Sequence, residues 1–278
     1  MIKNIVSCGC SWMYGSGCDN RHDKRLSSLF AKKYNAEDIN MAKDGGNNDR
    51  SVRKIVDWAI QNKDKLDETI FLLGLSGPER YDLWDEERGC YAGGSYDEDR
   101  PDDPIIGGKD NHNFLSGRTE RFMGKYHWNI LRDYDRTFRN VIYLMGVLDS
   151  LNCKYLIFDC IAWTRPNIPS REDYVGSEKV PIFSHGPRWD YNDYIKLLRY
   201  VIDNPLYQEI LTHKNFYSKQ CWAEFCSPRG KGLFAAEDKR MFFGAPKDYE
   251  GDWGHQNSKS NKLWFEVLTN YIEENKLW

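Results

Sequence analysis

The run TIFLLGL, residues 69–75, carries large apolar side chains on both of the faces between which an extended strand alternates. Such a segment needs cover on both sides, which is the condition of a central strand in a parallel sheet. NIVSC (4–8) and KYLIFDCI (154–161) have the same character, and a short strand is expected near residues 39–42. Between these runs the apolar residues recur at spacings of three and four, the period of a helix with one buried face. The spacing predicts helices over 25–34 (Leu26, Leu29, Phe30), about 47–61 (Val52, Ile55, Val56, Ala59), about 127–151 (Leu131, Tyr134, Phe138, Ile142, Met145, Leu148) and about 259–274 (Leu263, Trp264, Val267, Leu268, Tyr271, Ile272). Strands alternating with helices imply an α/β fold: a three-layer α/β/α sandwich with a mostly parallel, flavodoxin-like central sheet. In that class ligands bind beyond the carboxyl ends of the strands.

A chain of 278 residues, 40% hydrophobic, can bury its core as one domain, and no repeat or low-complexity linker divides residues 1–278. Three long segments fall outside the periodic pattern, at about 77–125, 163–190 and 215–254, and loops of that length are usually functional or disordered. A net charge of −3 gives no general attraction to nucleic acid or anionic membrane. No run approaches the roughly 18 apolar residues of a membrane span. Without a leader-like N-terminal stretch, the expected location is the cytoplasm. The eight cysteines then read as reduced thiols, Cys153 and Cys160 as small buried hydrophobes. Neither Cys8, Cys10 and Cys18 nor Cys221 and Cys226 form a paired metal motif, and neither a dinucleotide fingerprint nor a P-loop occurs, so no metal and no cofactor is expected.

Just past the first strand, Ser11 lies in G-x-S-x-x-x-G (Gly9, Ser11, Gly15), where flanking glycines permit a sharp turn that exposes a hydroxyl. A serine needs a base and a group to orient that base. GDWGHQNS supplies Asp252 and His255, three residues apart before the last helix, so that the carboxylate can hold Nδ1–H and leave Nε2 for the serine. KDGGNNDR (43–50) opens a helix after the second strand, where backbone N–H groups suit a developing oxyanion. Gly46 is the expected backbone donor; Asn47 or Asn48 offers a side-chain amide, with Asn47 better placed as a helix cap. Ser76, after the third strand, offers a hydroxyl or starts a turn before Pro78.

Together these blocks resemble the SGNH (GDSL-like) hydrolases. SCGCSWMYGSG is similar to the family's nucleophile block, with Cys10 where many members have aspartate. NMAKDGGNND is similar to the second block, and GDWGH to the final D-x-x-H block. LLGLSGPER stands in place of G-x-N-D: Gly74 is matched, Ser76 replaces the asparagine that normally donates to the oxyanion, and Gly77 replaces the aspartate. The version with G-x-S-W-x-x-G first and Ser-Gly-x-x-Arg third resembles that of bacteriophages and some bacteria. The resemblance implies Ser11 as nucleophile, His255 as base, Asp252 as its orienter, and oxyanion donors at Ser11 N, Gly46 N and one of Ser76, Asn47 and Asn48.

The implied function is a serine esterase or acetylhydrolase; the alternative is a non-catalytic binding or virion-structural protein on the same fold. Ten tryptophans and seventeen tyrosines are many for this length, and Tyr91, Tyr96, Trp163, Trp189, Tyr191 and Trp222 lie in or beside the long segments. Aromatic faces with polar neighbours suit sugar rings, so an O-acylated carbohydrate is the expected substrate. Phage origin would make the protein virion-associated. The acidic stretch Asp97–Asp103 reads as a solvated loop.

Overall fold

The structure, a computed structural model, describes residues 1–78, 80, 83–85, 90–92, 130–160, 180–181, 188–189, 199–219, 221–222 and 256–278. Five parallel strands form the sheet: β1 (Asn4–Cys8), β2 (Glu37–Asn40), β3 (Thr69–Leu75), β6 (Lys154–Asp159) and β9 (Phe216–Tyr217), in the order β2-β1-β3-β6-β9. Two antiparallel hairpins stand apart from it, β4 (Leu83–Asp85) with β5 (Cys90–Ala92) and β7 (Val180–Pro181) with β8 (Arg188–Trp189). The helices are α1 (Ser11–Tyr14), α2 (Arg21–Lys24), α3 (Leu26–Tyr34), α4 (Asn48–Gln61), α5 (Ile130–Ser150), α6 (Pro205–Thr212) and α7 (Ser258–Glu274), with a 3₁₀ segment at Lys63–Glu68. No helix among the described residues is long and apolar enough to cross a membrane.

The alternation of side chains along β3 splits the core in two. Phe71, Leu73 and Leu75 pack with Val6, Cys8, Tyr155 and Ile157 beneath α4, α5 and α6. Ile70 and Leu72 join Ile5, Leu156 and Phe158 beneath α3 and α7. Both faces are therefore dry, as the doubly apolar run requires. Because the chain steps from β1 outward to β2 and then back across to β3, the crevice of the sheet opens at the carboxyl ends of β1 and β3.

Several sequence expectations shift. The second strand lies two residues earlier than expected, at Glu37–Asn40, because its register pairs Asn4 with Glu37 and Ser7 with Asn40. The stripe Val52, Ile55, Val56 and Ala59 is buried as read. Leu131 and Leu263, assigned to inner faces, are exposed. The segment expected to be irregular from residue 215 begins instead with β9, too short at two residues for a periodic signal, and α6 before it also went unread.

Phe158 is enclosed between sheet and α7, edge-on to Trp222 and Trp264 at 6.1 and 6.2 Å. Replacing Phe158 with alanine removes a ring that its rigid aromatic neighbours cannot replace by collapse. The expected loss is about 3–5 kcal/mol, read as a lower urea midpoint at unchanged slope.

Candidate active site

At the carboxyl end of β1 three pieces of backbone meet. Gly9 adopts φ +149°, and a Cβ there would stand 2.6 Å from the Gly74 carbonyl oxygen and 2.6 Å from Met13 Cγ. Gly46 sits as close on the other side: a Cβ on it would fall on the Gly9 carbonyl oxygen. The turn these glycines allow delivers Ser11 as the first residue of α1, a single turn whose leading N–H groups have no intrahelical acceptor. Ser11 is only 7% exposed, so the turn does not present its hydroxyl openly as the flanking glycines suggested.

The second segment behaves differently from its reading in one respect. The Gly46 N–H, expected to face an oxyanion, donates to the Lys43 carbonyl at 2.9 Å. An amide so engaged must share or exchange that bond to serve a second acceptor. Asn47 is the cap: its Oδ1 accepts from Arg50 N at 2.8 Å. Asn48 reaches across to β3 instead, Oδ1 accepting from Ser76 N at 2.8 Å and Nδ2 donating to Ser76 O at 2.9 Å. With Asn48 and Ser76 both enclosed, this two-point clip fastens the start of α4 to the end of β3 in place of solvent.

Ser76 has no exposed surface, and its Oγ accepts from Arg80 Nη1 at 3.1 Å. The backbone that carries Arg80 is itself held: Arg136 on α5 donates through Nη2 to Pro78 O at 2.8 Å and to Arg80 O at 2.9 Å. Arg136 is flanked by Asp49 at 3.4 Å and Asp133 at 3.5 Å, and Asn140 donates to Asp49 at 2.6 Å. Asp133 has no exposed surface, and burial pushes its carboxyl up to about 6 against the pull of Arg136 and Arg132, with Asp49 adding to the rise. Cys10, fully enclosed beside Ser11, has its thiol pKa lowered by the Cys160 thiol and, less strongly, by Arg80, while burial opposes both.

Asp252 and His255 lie outside the described residues, as do Tyr96, Trp163, Tyr191, Cys226 and the acidic stretch 97–103. The chain resumes at Gln256, directly after His255. Gln256 is buried and its Nε2 donates to the carbonyl of Trp12, the residue after Ser11, at 2.6 Å. The start of α7 is fastened to the same loop. Asn257 caps the helix through Ser260 N at 2.9 Å, Ser258 Oγ donates to Asp19, and Asn261 Nδ2 reaches Cys18 Sγ at 2.7 Å and Lys24 O at 3.0 Å. Sequence reading missed Gln256, since a glutamine before a helix cap carries no signal of burial. It noted Arg80 only as part of the third block, and Arg136 not at all.

Of the aromatics read as sugar platforms, Trp222 is a core residue. It has no exposed surface, stacks on Trp264 at 5.9 Å and 10°, and meets Trp12 edge-on at 5.5 Å. Tyr91 and Trp189 stand in the hairpin strands β5 and β8.

Asn48→Ala leaves the Ser76 N–H and C=O buried without their partners, and the expected destabilisation is about 2 kcal/mol in urea unfolding. Asn47→Ala, which removes only a cap, is expected to cost about 1 kcal/mol. Asp133 sets a pH dependence of its own. Its folded-state pKa lies above the unfolded value, so between about pH 4 and 6 the folded state binds more protons than the unfolded state, and stability falls as pH rises through that window. Asp133→Asn should flatten that part of the profile, measured by urea midpoints at successive pH values.

No family model matches the chain, and no curated protein matches it in sequence. Among solved structures it is similar to EstA, a psychrotrophic esterase from a Pseudoalteromonas species, at 12% identity over 98% of this chain and 97% of that one, with a TM-score of 0.46. It is similar to TesA at 10% identity over 98% and 99%, TM-score 0.47, and to a GDSL-like lipase from Bacteroides thetaiotaomicron at 11% over 98% and 88%, TM-score 0.44. At such identities and scores the fold assignment stands on the strand order and register of this chain itself.

Proposed function

We propose that the protein is a serine ester hydrolase of the SGNH type, with Ser11 as nucleophile, His255 as general base and acid, and Asp252 as the group that orients His255. The observation that carries this reading is the bond from Gln256 to the Trp12 carbonyl. It ties the residue after the proposed base to the residue after the proposed nucleophile, although the two are 244 positions apart in the chain. The placement of Ser11 at the switch point of a parallel sheet, on a turn that only glycine neighbours permit, supports it further.

In the proposed reaction Ser11 Oγ attacks the ester carbonyl while its proton passes to His255 Nε2. The carbonyl electron pair becomes an oxyanion facing the Ser11 N–H at the head of α1. Collapse returns the proton to the leaving alcohol, and water repeats the cycle on the acyl-enzyme. The acyl group is proposed to sit on a carbohydrate. Support for that comes from the tyrosines and tryptophans in or beside the long segments that follow β3 and β6 in the sequence, Tyr96, Trp163 and Tyr191 among them. One observation favours the second reading, a binding or virion-structural protein on this fold: the Gly46 N–H is bonded to Lys43 O.

A fluorophosphonate probe separates the two without a known substrate. The folded protein is expected to label at Ser11, and Ser11→Ala and His255→Ala, with unchanged circular dichroism, are expected to stay unlabelled. A folded parent that also stays unlabelled would favour the binding reading.

A further inference from the structure

Three side chains fix the start of α7 against the amino-terminal part of the chain. Ser258 Oγ donates to Asp19, and Asn261 Nδ2 reaches Cys18 Sγ and Lys24 O, all of them past α1 in the sequence. Gln256 is the one of the three that reaches α1 itself: its Nε2 donates at 2.6 Å to the carbonyl of Trp12, one residue past Ser11. At its other side, Gln256 is one peptide unit from His255, about 3.8 Å between Cα atoms. Gln256 and Trp12 are both buried, and Gln256 Oε1 is enclosed with no hydrogen-bond partner. For packing alone this is a poor choice of residue. Methionine has nearly the same length and would fill the space without burying an unpaired acceptor. Methionine cannot donate to the Trp12 carbonyl, and that donation is what the buried amide supplies.

We infer that Gln256 is a positioning residue, its amide holding the backbone that carries His255 in register with the turn that carries Ser11. The inference rests on the hydrolase reading of those two residues. Ser11 stands on α1 and His255 in the segment before α7, so their relative position is a property of neither element alone. Proton transfer between them depends steeply on that position, since a misplacement of about 1 Å can cost about 10²-fold in rate. The bonds of Ser258 and Asn261 place the helix; the bond of Gln256 places the residue next to the base. It is also buried, and therefore stronger than an exposed bond such as that of Ser258 to Asp19. In this role Gln256 touches neither the substrate nor the travelling proton and acts through His255.

The test compares the parent with Q256M, Q256E and S258A under a neutral fluorophosphonate, fitting the maximal labelling rate and the half-saturating probe concentration separately. Circular dichroism and the melting temperature control for folding. Q256M keeps the bulk and loses the donor, and its maximal rate is expected to fall about 10²-fold at unchanged half-saturation. S258A, which gives up an anchor that does not reach α1, is expected to label at the parent's rate. Q256E supplies a rescue by pH. Burial favours its neutral form, and a protonated carboxyl can donate to the Trp12 carbonyl where a carboxylate cannot. Its maximal rate, divided by the parent's at the same pH, should therefore rise as the pH falls. A parent that labels together with a Q256M at the parent's maximal rate overturns the inference and leaves the hydrolase reading standing, even where Q256M melts lower. A change confined to half-saturation overturns it too, as does an S258A as slow as Q256M, which would mean that any anchor of α7 serves. A parent that never labels removes both readings at once. If Q256M does not fold, Q256E decides: a ratio that rises with acidity supports the inference, and a ratio flat across pH overturns it.

Discussion

Everything at the site hangs on how closely three backbones approach one another. The Gly9 carbonyl, Gly46 and the Gly74 carbonyl lie so near that a single methyl group at Gly9 or Gly46 would overlap main-chain atoms. This crowding brings the ends of β1 and β3 and the start of α4 to one point. Ser11 opens α1 at this point, buried, and the Asn48 clip on Ser76 becomes short enough to form. A side chain added to loosen or tighten the turn that carries Ser11 would be felt first as strain in the sheet.

How much of this was legible in the sequence depends on the length scale of each signal. The three long strands and four long helices were readable because each repeats its apolar pattern over several turns or residues, and burial on both faces of β3 followed from TIFLLGL alone. The two-residue β9, the one-turn α1 and the eight-residue α6 repeat too little to be read. At the site, the cap role of Asn47 was legible, because capping is local to four residues. The role of Asn48 was not: its partner is 28 positions away, and a buried amide holding two backbone groups looks in sequence like any asparagine at a helix start. The same holds for Arg136 and Gln256, whose partners are set by packing between distant elements.

The electrostatics around the crevice have a consistent logic. Arg136 is balanced by two carboxylates, one of them, on Asp133, enclosed enough to resist ionisation. Arg50, also without exposed surface, donates to Met41 O at 2.8 Å. Both guanidinium groups thus donate to backbone carbonyls near the carboxyl ends of the strands. The cost is borne as desolvation by groups that touch no ligand.

The anchoring of α7 beside the Ser11 loop bears on how the molecule comes to exist. The sheet face formed by Ile5, Ile70, Leu72, Leu156 and Phe158 receives Trp264 and Leu268 from this helix, and Tyr34 and Lys33 on α3 meet Trp278 and Glu273 at its far end. During synthesis the turn that carries Ser11 leaves the ribosome long before the residues of α7 that pack beside it. For that interval a half-finished sheet displays one naked apolar face, a surface suited to a chaperone and to aggregation alike. The turn that carries Ser11 and the segment that begins at Gln256 are brought together by the same docking event that hides this face, so the crevice is completed only when the last helix has been made.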